Sequence, residues 1–178
     1  MVKIYTKRGD KGKTELYDGD RVSKTFSLIH ALGDLDELNS FVGMARAKLE
    51  ADEEGRVEEG LLKILGKVQK DLYRICADLA GLSSKEGHVS DEDVKFLEEN
   101  IDDLPLDIGK FVPPGDKGEL SARLHVCRSV CRRAERSVIA AFDEIGGVDG
   151  EKLDEESAPL VLQYLNRLSD LFFAMAEC

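Results

Sequence analysis

Apolar residues recur at steps of three and four along most of this chain, and no strand-like alternation of any length interrupts them. The clearest case runs from Leu120 to Phe142. There Leu120, Leu124, Cys127, Cys131, Ala134, Val138 and Phe142 form one stripe, as on a helix with a single buried face. Residues 25–50 predict a helix on Leu28, Ala31, Leu35, Leu38, Val42, Ala45 and Leu49. Residues 56–81 predict another on Val57, Leu61, Ile64, Leu65, Val68, Leu72, Ile75 and Leu79. Ser90-Asp91-Glu92-Asp93 opens a further helix in capping-box style, with Val94, Leu97 and Ile101 following, and Pro105 ends it. Pro159 falls in the first turn of a last helix. Its stripe is Val161, Tyr164, Leu165, Leu168, Leu171, Phe172 and Met175. Gly81 to Gly87, Phe111 to Gly115 and Gly146 to Gly150 read as connectors. The pattern predicts an all-α bundle of about five helices in one domain over 1–178, with a polar glycine-rich loop over 1–24 ahead of the bundle at 25–178.

The polar positions add a second pattern. Arg128, Arg132, Glu135 and Arg136 share a face beside the Leu120–Phe142 stripe. From Arg123 to Arg136 there are five arginines and one acid, whereas the whole chain carries a net charge of -11. Like charges stacked at this spacing repel. An anionic ligand would justify them, and the arginine fork suits phosphate because it donates two hydrogen bonds at once. A solvated arginine face paired with the acidic surface is the alternative.

The N-terminal loop has the same sign. Lys3, Lys7, Arg8, Lys11, Lys13, Arg21 and Lys24 outnumber Asp10, Glu15, Asp18 and Asp20. Gly9 and Gly12 let backbone N–H groups turn toward an anion. Gly9-x-x-Gly12-Lys13-Thr14 is not a Walker A loop, because that motif has four residues between its glycines. Two other side chains stand out. Asp36 lies about 100° from the centre of its helix stripe, where an acid can meet a cation from another helix. Phe173 lies opposite the core stripe of the last helix with Asn166 and Asp170, which predicts a second apolar contact and a subunit interface.

Composition narrows the class. With 42% hydrophobic and 34% charged residues the chain is globular. An excess of 36 acidic over 25 basic residues argues against general nucleic-acid binding. No apolar run is long enough to span a bilayer. The N-terminus has no apolar signal core, so the expectation is a mature protein that starts at Met1 and stays in the cytoplasm. The four cysteines form no CxxC pair, and Cys127 and Cys131 sit on a core stripe, which predicts buried free thiols. The three histidines are scattered, and none is preceded by Glu at the spacing of a di-iron bundle.

Ile4-Tyr5-Thr6-Lys7-Arg8-Gly9-Asp10-Lys11-Gly12, Asp36-Glu37-Leu38-Asn39-Ser40, Cys131-Arg132-Arg133-Ala134-Glu135-Arg136 and Tyr164-Leu165-Asn166-Arg167-Leu168-Ser169-Asp170 follow one another in order. Together they resemble the PduO-type ATP:cob(I)alamin adenosyltransferases, over nearly the whole chain. The resemblance implies an up-and-down, left-handed five-helix bundle that forms a homotrimer with active sites between subunits. It implies transfer of the 5′-deoxyadenosyl group of ATP to cob(I)alamin, giving adenosylcobalamin and triphosphate. By match to the family motifs, Thr6, Lys7, Arg8, Gly9, Asp10, Lys11, Gly12, Lys13 and Thr14 would wrap the triphosphate, with Lys24 on the same group. Arg132, Arg133, Glu135, Arg136 and Asn166 would complete the ATP site. Asp36 and Arg128 match an ion pair on the corrinoid side. Phe111 matches the residue that displaces the lower axial ligand, leaving cobalt four-coordinate and easier to reduce. Mg²⁺ would be held by the ATP phosphates rather than by a protein cage. A corrinoid reductase and a B12-dependent enzyme are the implied partners, with no membrane and no nucleic acid.

The chain departs from that family at Arg8, where threonine is common, and at Lys13, where a small or polar residue is common. Through Gly115-Asp116-Lys117-Gly118 it is one residue longer than usual. It also ends at Cys178 without the longer C-terminal cap of some relatives. A non-catalytic chaperone binding ATP or corrinoid would use the same residues, and a purely structural bundle would use none of them.

Overall fold

The computed structural model describes residues 3–16, 19–51, 59–81, 88–106, 112–146 and 157–178. Five helices carry the fold: α1 (Ser27–Glu50), α2 (Glu59–Leu79), α3 (Asp91–Asp102), α4 (Glu119–Gly146) and α5 (Ser157–Glu177). Ahead of them stand two short strands, β1 (Lys13–Glu15) and β2 (Arg21–Ser23), paired antiparallel with Thr14 opposite Val22. This ribbon corrects the reading of residues 1–24 as loop alone. Each strand is three residues long, too short to show alternation in sequence.

α1 packs on α4 and α2, and α5 on α4 and α3. α4 runs antiparallel to α1, since Glu144 accepts from the Ser27 N–H at 3.1 Å while Lys48 reaches Glu119 at 3.1 Å. It also runs antiparallel to α5, with His125 near Glu177 at one end and Glu135 near Asn166 further along. The seven α1 residues expected inside are its seven buried residues. Each large aliphatic side chain enclosed in this way contributes about 1.5–3 kcal/mol. α3 starts with the predicted capping box, Ser90 with Asp93. Cys127 and Cys131 are buried and free, and burial raises both thiols, Cys127 to about 12. These are packing groups rather than nucleophiles. The expected helix start at 56–58, the connectors at 82–87 and 147–150, and Phe111 lie outside the described residues.

A charged cluster interrupts the apolar core where α2, α3 and α5 meet. Asp71 is 2% exposed. It accepts hydrogen bonds from Lys67 at 2.8 Å, Arg74 at 2.6 Å and the Tyr164 hydroxyl at 2.8 Å. Asp93 shares both cations, at 2.5 Å from Lys67 and 2.8 Å from Arg74, and accepts the Ser90 N–H at 3.0 Å. Two acids and two bases thus neutralise one another inside the protein.

Burial alone would raise the Asp93 pKa. The hydrogen bonds from Lys67 and the Ser90 N–H, with the charges of Lys67 and Arg74, outweigh it and lower the value from 3.8 to about 2. A carboxylate with a depressed folded-state value stabilises the fold above its unfolded value and loses that contribution as pH falls. Stability should therefore drop between pH 3.8 and about 2. Asp93→Asn should flatten the drop in urea titrations across that window.

Candidate functional site

Two helical rows form a seam on the outer side of the α4–α5 pair. Along α4 stand His125, Arg128, Arg132, Glu135 and Arg136, and along α5 stand Asn166, Asp170, Phe173 and Glu177. Their spacings of three and four residues keep each row on one face. From Arg128 to Arg136 the row covers about 12 Å along the helix axis.

The seam changes chemistry along its length. At one end Asn166 donates to Glu135 at 3.3 Å and receives a hydrogen bond from Arg167 at 3.0 Å. Arg136 donates to the Arg132 carbonyl at 2.9 Å. The guanidinium of Arg132 is exposed and has no acceptor among the described residues. At the other end the Arg128 guanidinium lies 5.9 Å over the ring of Phe173. The Arg128 Nε is buried without a hydrogen-bond partner among the described residues. A buried donor left in this way is costly unless a bound group completes it. Phe173 is half-buried against Arg128 and His125, so the contact expected of it at a subunit interface is supplied in part within the chain.

Arg133 points elsewhere. It pairs with Asp34 at 3.1 Å and with Glu37, both on α1, and so clamps α1 to α4. Asp36 is exposed on the α2 side of α1, where burial first and the Asp36 charge second raise the Cys76 thiol to about 11. Arg128 faces α5. Asp36 and Arg128 therefore stand on opposite flanks and make no ion pair within one chain.

The N-terminal strip is also built but separate. Lys24 donates its N–H to the Gly12 carbonyl at 2.9 Å, and a Cβ on Gly9 would meet its Nζ at 3.2 Å. The strip folds tightly through left-handed Lys7 and Gly12, with φ 61° and 76°. Arg8 is held by Glu15, and its carbonyl accepts from Arg21 at 2.6 Å. Lys7, Lys11, Lys13 and Lys24 have no carboxylate partner among the described residues. No hydrogen bond among the described residues joins Thr6 to Thr14 to the arginine seam. Nor do these residues gather three His, Cys, Asp or Glu into a metal-binding group.

His125, Glu177 and Lys117, which close the aromatic end of the seam, were not apparent in the sequence. The one available signal was the spacing of His125 three residues before Arg128.

A helical-bundle surface seam that grades from a guanidinium without an acceptor among the described residues to a cation-capped ring has the chemistry to suit a polyanion beside an apolar group. Comparison with known proteins gives that chemistry its family. The family model described as cobalamin adenosyltransferase matches residues 4–178, and the chain belongs to this family. It is 38% identical over 180 residues to the corrinoid adenosyltransferase of Bacillus subtilis, covering 99% of this chain and 86% of that one. It is 40% identical over 185 residues to the cobalamin adenosyltransferase of Cupriavidus metallidurans, with 99% and 88% covered. Among solved structures, a variant PduO-type ATP:corrinoid adenosyltransferase from Lactobacillus reuteri, complexed with cobalamin and ATP, superimposes with a TM-score of 0.78. That pair is 33% identical, with 98% of this chain and 89% of the other covered.

Proposed function

We propose that this protein transfers the 5′-deoxyadenosyl group of ATP to cob(I)alamin, and that the α4–α5 seam is where the two substrates meet. The observation that carries the reading is the Arg128 guanidinium, seated on Phe173 with an unpartnered buried Nε, at the end of a row of arginines. Arg132, Arg136, Glu135 and Asn166 hold the nucleotide. Thr6 to Thr14 and Lys24 bring cations and backbone N–H groups to the three phosphates. Arg133 sets α1 against α4 behind them. Mg²⁺ rides on the phosphate oxygens, as it usually does with nucleotides.

The chemistry needs no catalytic Ser, Cys or His. Cobalt(I) is the nucleophile and supplies the electron pair of the new Co–C5′ bond. The C5′–O bond breaks with its electrons going to triphosphate, and cobalt ends as Co(III). The protein holds carbon and cobalt in line and stabilises charge on the departing triphosphate. By its place in the family pattern, Phe111 keeps the lower face of the corrinoid free of an axial ligand.

One chain does not complete this site. The N-terminal strip and Asp36 both lie away from the seam of their own chain, so a neighbouring copy supplies them in a homotrimer. α1 and α4 offer a groove of about 310 Å³ lined by Phe41, Met44, Glu119, Ala122, Arg123 and Val126 for such contact. We place the protein in the cytoplasm, receiving electrons through a corrinoid reductase and passing its product to a B12-dependent enzyme.

Anaerobic incubation with ATP, Mg²⁺ and chemically reduced cobalamin should release triphosphate and form light-sensitive adenosylcobalamin in equal amounts. Binding of both substrates with no triphosphate would mark a cofactor carrier instead.

A further inference from the structure

Glu177 stands in the last turn of α5, where the helix dipole disfavours negative charge and carbonyls lack helical partners. Its side chain is nevertheless only 9% exposed. Lys117 offsets both problems. Its ammonium lies 3.1 Å from Glu177 Oε2 and also donates to the Glu177 backbone carbonyl. Lys117 sits in a turn rather than on a helix. That turn is fixed by Asp116 N–H to Pro113 O at 3.1 Å and Gly118 N–H to Gly115 O at 3.0 Å. Gly115 and Gly118 have φ of 105° and 100°, the left-handed region in which glycine is unstrained.

The second carboxylate oxygen of Glu177 faces inward, 3.3 Å from His125 Nε2. His125 is itself buried, and its ring lies 6.3 Å from that of Phe173 at 58°. Its Nδ1 has no partner among the described residues. Phe173 lies one turn before Glu177 on α5, and Arg128 lies three residues after His125 on α4. Four side chains thus close a square between the helices, and Lys117 fastens it from outside.

We propose that Lys117, Glu177 and His125 are positioning residues that fix the Arg128–Phe173 pair, and so set where the corrinoid ring seats in the seam. The inference rests on the adenosyl-transfer reading. Without Lys117, Glu177 is an enclosed carboxylate at the wrong end of a helix and swings toward water. His125 then loses its acceptor, and Phe173 loses a neighbour on the face that carries Arg128. The disturbance is confined to the corrinoid end, because Arg132 and Arg136 stand one and two turns away and touch none of the three.

The test uses the full chain, beginning with wild-type turnover of ATP and reduced cobalamin. An inactive wild type would remove the functional reading itself. In an active background, Lys117→Met and Glu177→Gln should each lower kcat/KM for the corrinoid about tenfold, part of the roughly 10²-fold that a full 1 Å misplacement of a reacting partner can cost. The KM for ATP should stay unchanged, and Lys117→Arg should restore the corrinoid value. Glu177→Gln keeps the size of the side chain, so it reports even if Lys117→Met folds poorly. Direct titration of cob(II)alamin in the presence of ATP, followed by its visible spectrum, should show the same tenfold weakening. Unchanged corrinoid kinetics, equal losses for both substrates, or no rescue by Lys117→Arg would overturn the proposal.

Discussion

Arg132→Ala should lower kcat/KM for ATP about 10²–10³-fold, the scale of one preorganised donor removed from a developing charge. Its guanidinium is exposed and holds no other element in place through a hydrogen bond or ion pair among the described residues. The substitution should leave stability within about 0.5 kcal/mol, as at surface positions without partners. Arg133→Ala provides the contrast. It breaks the contacts to Asp34 and Glu37, both between partly exposed groups. Such pairs contribute about 0–1 kcal/mol each, so this variant should shift the unfolding midpoint where Arg132→Ala does not. Steady-state kinetics and thermal melts on the two variants separate ligand binding from helix clamping.

Asp71→Ala should cost about 3–5 kcal/mol of stability, the usual penalty for leaving enclosed partners of a buried ion pair uncompensated. Three donors lose a partner at once: the Tyr164 hydroxyl loses its acceptor, and Lys67 and Arg74 are left as two cations on the single carboxylate of Asp93. In a chain of 178 residues each kcal/mol moves the melting temperature about 2–4 °C, so a fall of roughly 6–20 °C is expected. Tyr164→Phe removes one neutral donor and should cost about 1 kcal/mol. A smaller loss for Asp71→Ala than for Tyr164→Phe would show that the cluster does not work as a unit.

What the sequence revealed depended on whether the relevant physics was local. The α1 stripe from Leu28 to Leu49 is set by helix period alone, and every expected position is buried. The Ser90–Asp93 capping box is likewise a four-residue signal. Asp71 occupies a core-stripe position between Val68 and Leu72, but nothing nearby explains how an acid survives there. One of its partners, Tyr164, is 93 residues away. The Lys117–Glu177 contact spans 60 residues and joins a loop to a helix end, so no periodicity announces it. Asp36 was legible as a stripe-edge acid, yet only packing shows that within one chain it stands on the α2 side, away from that chain's own Arg128. The arginine row was legible as charge out of keeping with an acidic chain. Its apolar end was not, because Arg128 over Phe173 is a contact between helices.

The central claim is that the α4–α5 seam of one chain and the N-terminal strip of another grip one nucleotide. A crystal structure of the protein with ATP and cobalamin tests it directly. The account predicts phosphate oxygens within hydrogen-bond distance of Arg132 on one copy and of the Gly9–Thr14 backbone on its neighbour, with the corrinoid against Phe173. Nucleotide bound elsewhere, with the Arg128, Arg132 and Arg136 guanidinium groups turned to solvent in every copy, would contradict it.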